Sequence, residues 1–302
     1  MNTDDPTTLA IGYELDAVVA RTKHSVVFVA QQRQTARRVA VKLAHDSAGT
    51  DALRREIQAL RGLRHPHIID LVEATAAGDP WLVMPLAATS LEETVATHGA
   101  FEAAEVVGMV VAIASALESV HRHRLVHADV KPANILLEAG GRPLLADFGA
   151  AHPIGTPPTN FTPTYFVDDG TEGDVASLAR CALHMLADGD GNDRRALRTV
   201  LREFARLGDR PEILVEAVSA IVAEPRWPSV GTVSPATASG PPTHPFGPRP
   251  PRADDDGGVL RRRRPQRVGA LVGAAVIVIG AMHVWREHTA PPPTTVVAVS
   301  ER

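Results

Sequence analysis

The sequence predicts an α+β fold in which a small strand-rich part precedes a larger, mainly helical one. Strand-like runs gather early, at residues 26–30 (VVFVA), 39–44 (VAVKLA) and 81–86 (WLVMPL), and polar QQRQTARR separates the first two as a turn. From residue 91 to 123 apolar residues recur at helical spacing instead, with a long helix expected over 103–121. The length, 302 residues, allows one large two-lobed domain or two ordinary ones, with an appendage left over.

Between the strand runs, residues 51–63 read as an amphipathic helix. Leu53, Ile57 and Leu60 share one stripe, and Asp51 is placed to cap the start. Residues 150–166 are rich in Pro, Thr and Gly and read as a loop. DVASLA, 174–179, then opens another apolar helix. The one cysteine, Cys181, excludes an internal disulfide framework and reads as a small core residue.

The chemistry concentrates in residues 125–137, LVHADVKPANILL. Asp129, Lys131 and Asn134 stand between two apolar runs that read as short buried strands, so the polar groups sit on a loop with two rigid anchors. A carboxylate to accept a hydroxyl proton, an ammonium to neutralise a transferring phosphate and an amide oxygen to hold a metal suit phosphoryl transfer. Downstream, LLADFG at 144–149 places Asp147 after a short hairpin through Gly140 and Gly141.

The order Asp, Lys, Asn followed by Asp-Phe-Gly resembles the catalytic and metal-binding motifs of protein kinases, and the lysine and proline after Asp129 point to the serine/threonine branch. The resemblance implies a two-lobed kinase-like fold, with a small β-rich N-lobe over 10–86 and a trimmed, mainly helical C-lobe over 87–231. It implies catalytic roles for Asp129 and Lys131, and metal ligation by Asn134 and Asp147. Lys42 would hold the nucleotide phosphates with Glu56 as its ion-pair partner, and Val27, Ala40, Met84 and Leu136 would line the nucleotide site. ATP and Mg²⁺, or Mn²⁺ in its place, are the implied cofactors, and proteins the implied substrates. HPHII at 65–69 resembles the entry to the fourth strand, with structural histidines. Asp174 resembles the buried aspartate that steadies the catalytic loop. EPRWPS at 224–229 resembles the end of the C-lobe, with Arg226 as partner of Asp169.

The pattern breaks in two places. Where the family carries three glycines, residues 20–25 read Ala, Arg, Thr, Lys, His, Ser. Glycine there lets backbone approach the phosphates, and a side chain at such a position costs about 1 kcal/mol. Arg21 and Lys23 could offset the loss; a plain surface hairpin fits equally. Ala128 stands where many relatives have an arginine that reads a phosphorylated loop. Two readings compete: an active kinase with a degenerate glycine-rich loop, and a pseudokinase that binds nucleotide or a partner without transfer. A plain membrane-tethered scaffold, binding no nucleotide, is the alternative from another class.

Net charge of −4 gives no nucleic-acid signal, and the polar N-terminus lacks the regions of a signal peptide. Residues 232–267 read as a disordered Pro/Gly-rich linker carrying five arginines over 261–267. Residues 268–285 then form an apolar run interrupted only by His283. As a helix this run is about 27 Å long, enough for a single membrane span. The arginines place residues 1–267 in the cytoplasm and 286–302 outside as a short extracytoplasmic tail. Gly269 and Gly273 form a GxxxG pair that offers a homodimer contact. This layout resembles that of bacterial membrane-anchored serine/threonine kinases.

Overall fold

The computed structural model describes residues 12–156 and 170–228. β1 (Tyr13–Arg21), β2 (Ser25–Gln32) and β3 (Arg38–Ala44) run antiparallel in succession, and α1 (Ser47–Gly62) follows. β4 (Glu73–Thr75) and β5 (Trp81–Pro85) complete a five-stranded sheet in the order β1-β2-β3-β5-β4. Alternation along β3 decides what each side chain meets. Val39, Val41 and Leu43 join Tyr13, Val26 and Val83 in a small core on one face. Ala40 points the other way, into the main core with Leu53, Ile57 and Leu60 of α1. Lys42 shares that second face and is thereby aimed at the helix.

The sheet coils strongly enough for its two edges to meet, as right-handed strand twist favours. Tyr13 on edge strand β1 donates its hydroxyl to Glu73 on edge strand β4 at 2.8 Å.

Helix α1 begins at Ser47, earlier than the expected residue 51. Asp46 is its cap, accepting from Gly49 N at 2.7 Å, while Asp51 lies inside the helix in an ion pair with Arg54 at 3.6 Å. Ser, Gly and Thr in the first turn are weak helix formers, which hid this start.

The helical part opens with β6 (Thr89–Ser90), α2 (Leu91–His98) and α3 (Ala103–Arg122), the last matching the predicted long helix. A reciprocal capping box between Glu102 and Glu105 starts α3. Among the described residues it is the helix long and apolar enough to cross a membrane, but 72% of its apolar window is buried inside the domain. It is the core helix.

β7 (Leu125–Val126) leads into the loop that carries Asp129, Lys131 and Asn134, and β8 (Ile135–Leu137) and β9 (Pro143–Leu145) form the expected hairpin. β10 (His152–Pro153) pairs back on β7. α4 (Thr171–Met185), α5 (Asn192–Leu207) and α6 (Pro211–Ser219) follow. Gly208, at φ +62, ends α5 where a Cβ would strike the Glu172 carbonyl, and Pro211 starts α6. α5 and α6 lie between α4 and the EPRWPS segment. Cys181 is fully buried, as expected.

Arg226 in the EPRWPS segment docks on α3: its N donates to Ala104 O at 3.1 Å, and a Cβ at Gly108 would collide with its backbone. The Arg226 guanidinium, expected at Asp169, approaches Glu105 at 4.0 Å. Asp169, the linker, the span, its GxxxG pair and the outer tail lie outside the described residues.

Candidate active site

The loop between β7 and β8 is fixed from beneath by α4. Asp174, 2% exposed, accepts His127 N and Ala128 N at 2.8 Å each, and His121 Nε2 at 2.9 Å. These bonds hold Ala128 at φ 64, a left-handed conformation that a non-glycine residue adopts only when its surroundings impose it. His127 donates from Nε2 to Ala146 O at 3.1 Å, and its ring meets Phe148 edge-on at 4.7 Å. One histidine thus ties this loop to the Asp-Phe-Gly segment.

On this base the polar groups converge. Lys131 Nζ donates to Asp129 Oδ2 at 2.7 Å. Asn134 Nδ2 donates to Asp129 O at 2.9 Å and to Oδ2 at 3.0 Å. With its nitrogen committed to Asp129, Asn134 has its amide oxygen to offer a cation.

The second half of the site comes from the sheet and α1. Lys42 Nζ donates to Glu56 at 2.7 Å and to Asp147 at 2.9 Å. Arg55, next to Glu56, donates from Nε to Gly149 O at 3.0 Å, so α1 grips the Asp-Phe-Gly backbone as well as the lysine. Asp147 itself stands at φ 61 and accepts Gly149 N at 3.4 Å. Burial works to raise the Asp147 carboxyl, but the Lys42 ammonium overrides it and holds the group down at about 2. Burial likewise works against the Lys42 charge, and Asp147 and Glu56 together overcome it and raise its pKa. Burial pushes Glu56 up, partly offset by Lys42. One ammonium thus serves two carboxylates, and it lowers Asp147 below its ordinary range while burial keeps Glu56 above its own.

Ala40 and Met84, paired across β3 and β5, lie in the main apolar cluster, and Val27 and Leu136 pack against it. Among the described residues no three His, Cys, Asp or Glu side chains gather as a metal cage. One carboxylate and one amide oxygen, from Asp147 and Asn134, suit Mg²⁺, which takes few protein ligands and completes its shell with phosphate and water.

The tip between β1 and β2 is closed by side chains instead of glycines. Thr22 Oγ1 accepts Ser25 N at 3.0 Å and lies 2.9 Å from Ser25 Oγ. His24 Nδ1 meets the Asp46 carboxylate at 2.7 Å, and His24 O accepts His45 N at 3.2 Å. Gly49 lies against the same carbonyl with no room for a Cβ. The tip is fastened to the start of α1. His24, Asp46, Arg55, His121 and His127 were not singled out from sequence; the cap signal of Asp46 before Gly49 was the readable one.

Both histidines of HPHII are structural: His65 Nε2 lies 3.1 Å from Ser115 Oγ, and His67 Nδ1 lies 2.9 Å from Pro143 O.

The protein kinase domain profile matches residues 13–169, more than half of the chain. The chain is 32% identical over 222 residues to serine/threonine-protein kinase PknK of Mycobacterium bovis, covering 67% of this chain and 20% of that protein. It is 32% identical over 167 residues to the probable serine/threonine-protein kinase PknB of Corynebacterium glutamicum, covering 52% and 26%. Cyclin-dependent kinase D-1 of Arabidopsis thaliana is 31% identical over 169 residues, covering 54% and 42%. The chain therefore spans about a fifth of the length of the first of these relatives. With its strand-rich N-terminal part, its helical remainder and this match, the chain belongs to the protein kinase family.

Proposed function

We propose that the chain is a membrane-anchored serine/threonine protein kinase that transfers the γ-phosphoryl group of ATP to protein Ser and Thr hydroxyls in signalling. The reading rests on one observation above all: Lys42 touches Glu56 and Asp147 at once, at 2.7 and 2.9 Å, beside a loop that already gathers Asp129, Lys131 and Asn134. These groups come from β3, α1 and two separate loops, and fold stability alone gives no reason for so costly a burial of charge.

In this reading Lys42, fixed by Glu56, positions the α and β phosphates, and Ala40, Met84, Val27 and Leu136 receive the adenine. Asn134 and Asp147 hold Mg²⁺, which when bound neutralises charge on the phosphates. Asp129 takes the proton of the incoming hydroxyl as its oxygen bonds to the γ-phosphorus and the bond to the ADP oxygen breaks. Lys131 neutralises charge on the transferred group. The domain ends near residue 231, and residues 232–267 tether it to a span over 268–285, with 286–302 outside and the glycines at 269 and 273 offering a homodimer contact.

The closed tip favours the second reading, a pseudokinase, because Thr22 and Ser25 occupy the turn that glycines would leave open. Phosphate transfer from labelled ATP with Mg²⁺ or Mn²⁺ separates the two. Asp129→Asn should remove transfer and keep the ATP-induced thermal shift, because Asp129 acts on the hydroxyl. Asp147→Asn should remove transfer and weaken the shift. A clear ATP shift without transfer by the wild type would install the pseudokinase reading.

A further inference from the structure

Helix α5 divides its side chains cleanly. Leu197, Leu201 and Phe204 are buried, and Arg194 and Arg198 on the flank are committed to Glu102 and to Asp188 with the Leu186 and Ala187 carbonyls. On the opposite face Arg195, Arg202 and Arg206 are exposed. At 100° per residue these three fall within about 40° of one another and run about 16 Å along the axis. Arg210 continues beyond the helix end, and Thr199 sits within the row.

The row is weakly countered. Arg202 and Arg210 make no ion pair among the described residues, and Arg206 meets Glu203 only at 3.7 Å, solvent-exposed. Arg195 reaches the Asp190 backbone carbonyl. Arg195, Arg202 and Arg206 all lie on the solvent side of the helix, away from its buried face.

We propose that this exposed face of α5 is a membrane-contact surface that lies on anionic phospholipid headgroups. A convex line of guanidinium groups without a pocket matches a plane of phosphates, to which each arginine adds about fivefold in binding, and it lacks the concave polar site that selects one acidic peptide. The chain carries a net charge of −4, so the row is a local exception to the charge of the whole. The proposal rests on the anchored reading, in which a stretch rich in Gly, Ser, Pro and Thr over 229–260 belongs to the tether between the domain and the span. The surface then sets which way the active site faces.

The test uses the full chain in lipid nanodiscs, with Thr199→Cys carrying a fluorophore and spin-labelled headgroups as quencher. Quenching is expected in phosphatidylglycerol discs, reduced more than tenfold in phosphatidylcholine discs, and lost at about 0.5 M salt. Arg195→Gln, Arg202→Gln and Arg206→Gln combined should abolish it with the thermal midpoint unchanged. Equal quenching in neutral discs, or none in anionic ones, overturns the proposal, as does polyglutamate that engages the row when anionic discs do not. A chain that enters neither disc refutes the span. Sedimentation with phosphatidylglycerol vesicles then decides the surface alone: loss of binding in the triple variant supports it, and no binding by the wild type refutes it.

Discussion

Asp174 on α4 accepts the backbone N–H of Ala128 at 2.8 Å and so holds a left-handed residue immediately before Asp129. The same carboxylate takes His127 N and His121 Nε2. Asp174→Ala strands two buried backbone donors at about 1–3 kcal/mol each. Urea denaturation should show a loss of about 3 kcal/mol or more, and transfer should fall with it. A loss below about 1 kcal/mol would mean that the loop holds its own shape.

The Asp147–Lys42 contact sets an acid limit. Asp147 sits at about 2 against an ordinary 3.8, so its contribution to stability is present above about pH 4 and is lost as pH falls towards 2. Lys42→Met removes the ammonium and leaves burial to raise both Asp147 and Glu56. Acid unfolding followed by circular dichroism should then begin at higher pH in the variant. Coincident curves would show that Lys42 does not hold the carboxylate.

At the alkaline end the informative group is Tyr13, 2% exposed and bonded to Glu73. Burial first, and then the Glu73 hydrogen bond, pushes its hydroxyl up to about 12. Its stabilising contribution is complete below pH 10 and disappears as pH rises through about 12. Tyr13→Phe should cost about 1 kcal/mol at neutral pH. Stability of the variant should also decline less than wild type between those two pH values. An equal decline in both would place the titration elsewhere.

Cys181 is fully buried, and burial pushes its thiol well above the usual range. Iodoacetamide should label the native protein only as fast as the domain opens, so the rate should rise with urea in step with unfolding. Rapid labelling without denaturant would contradict this burial.

The site was readable where chemistry is packed into short stretches. Asp129, Lys131, Asn134 and Asp147 lie on loops whose flanking strands announce them, whereas Lys42 was named through the resemblance, since a lysine at the end of an apolar strand reads equally as one reaching solvent. Glu56 could be named only through the resemblance, because a helical glutamate looks the same whether it is buried or solvated. Tyr13–Glu73 and His24–Asp46 join residues 60 and 22 positions apart and leave no local signature. They exist because the sheet coils and because a turn happens to land on a helix start. The beginning of α1 was misplaced for a related reason: Gly49 is there for a close approach, and its poor helix propensity disguised the first turn.

That close approach reverses an expectation about glycine. The tip of the first hairpin has none, yet the freedom from side-chain bulk survives on the opposing surface, at Gly49, where His24 comes to rest. A tip built this way is a bracket, already ordered by its neighbours. Its position is set by α1, the helix that also carries Glu56, so any tilt of that helix would move the tip and the Lys42–Glu56 contact in the same stroke.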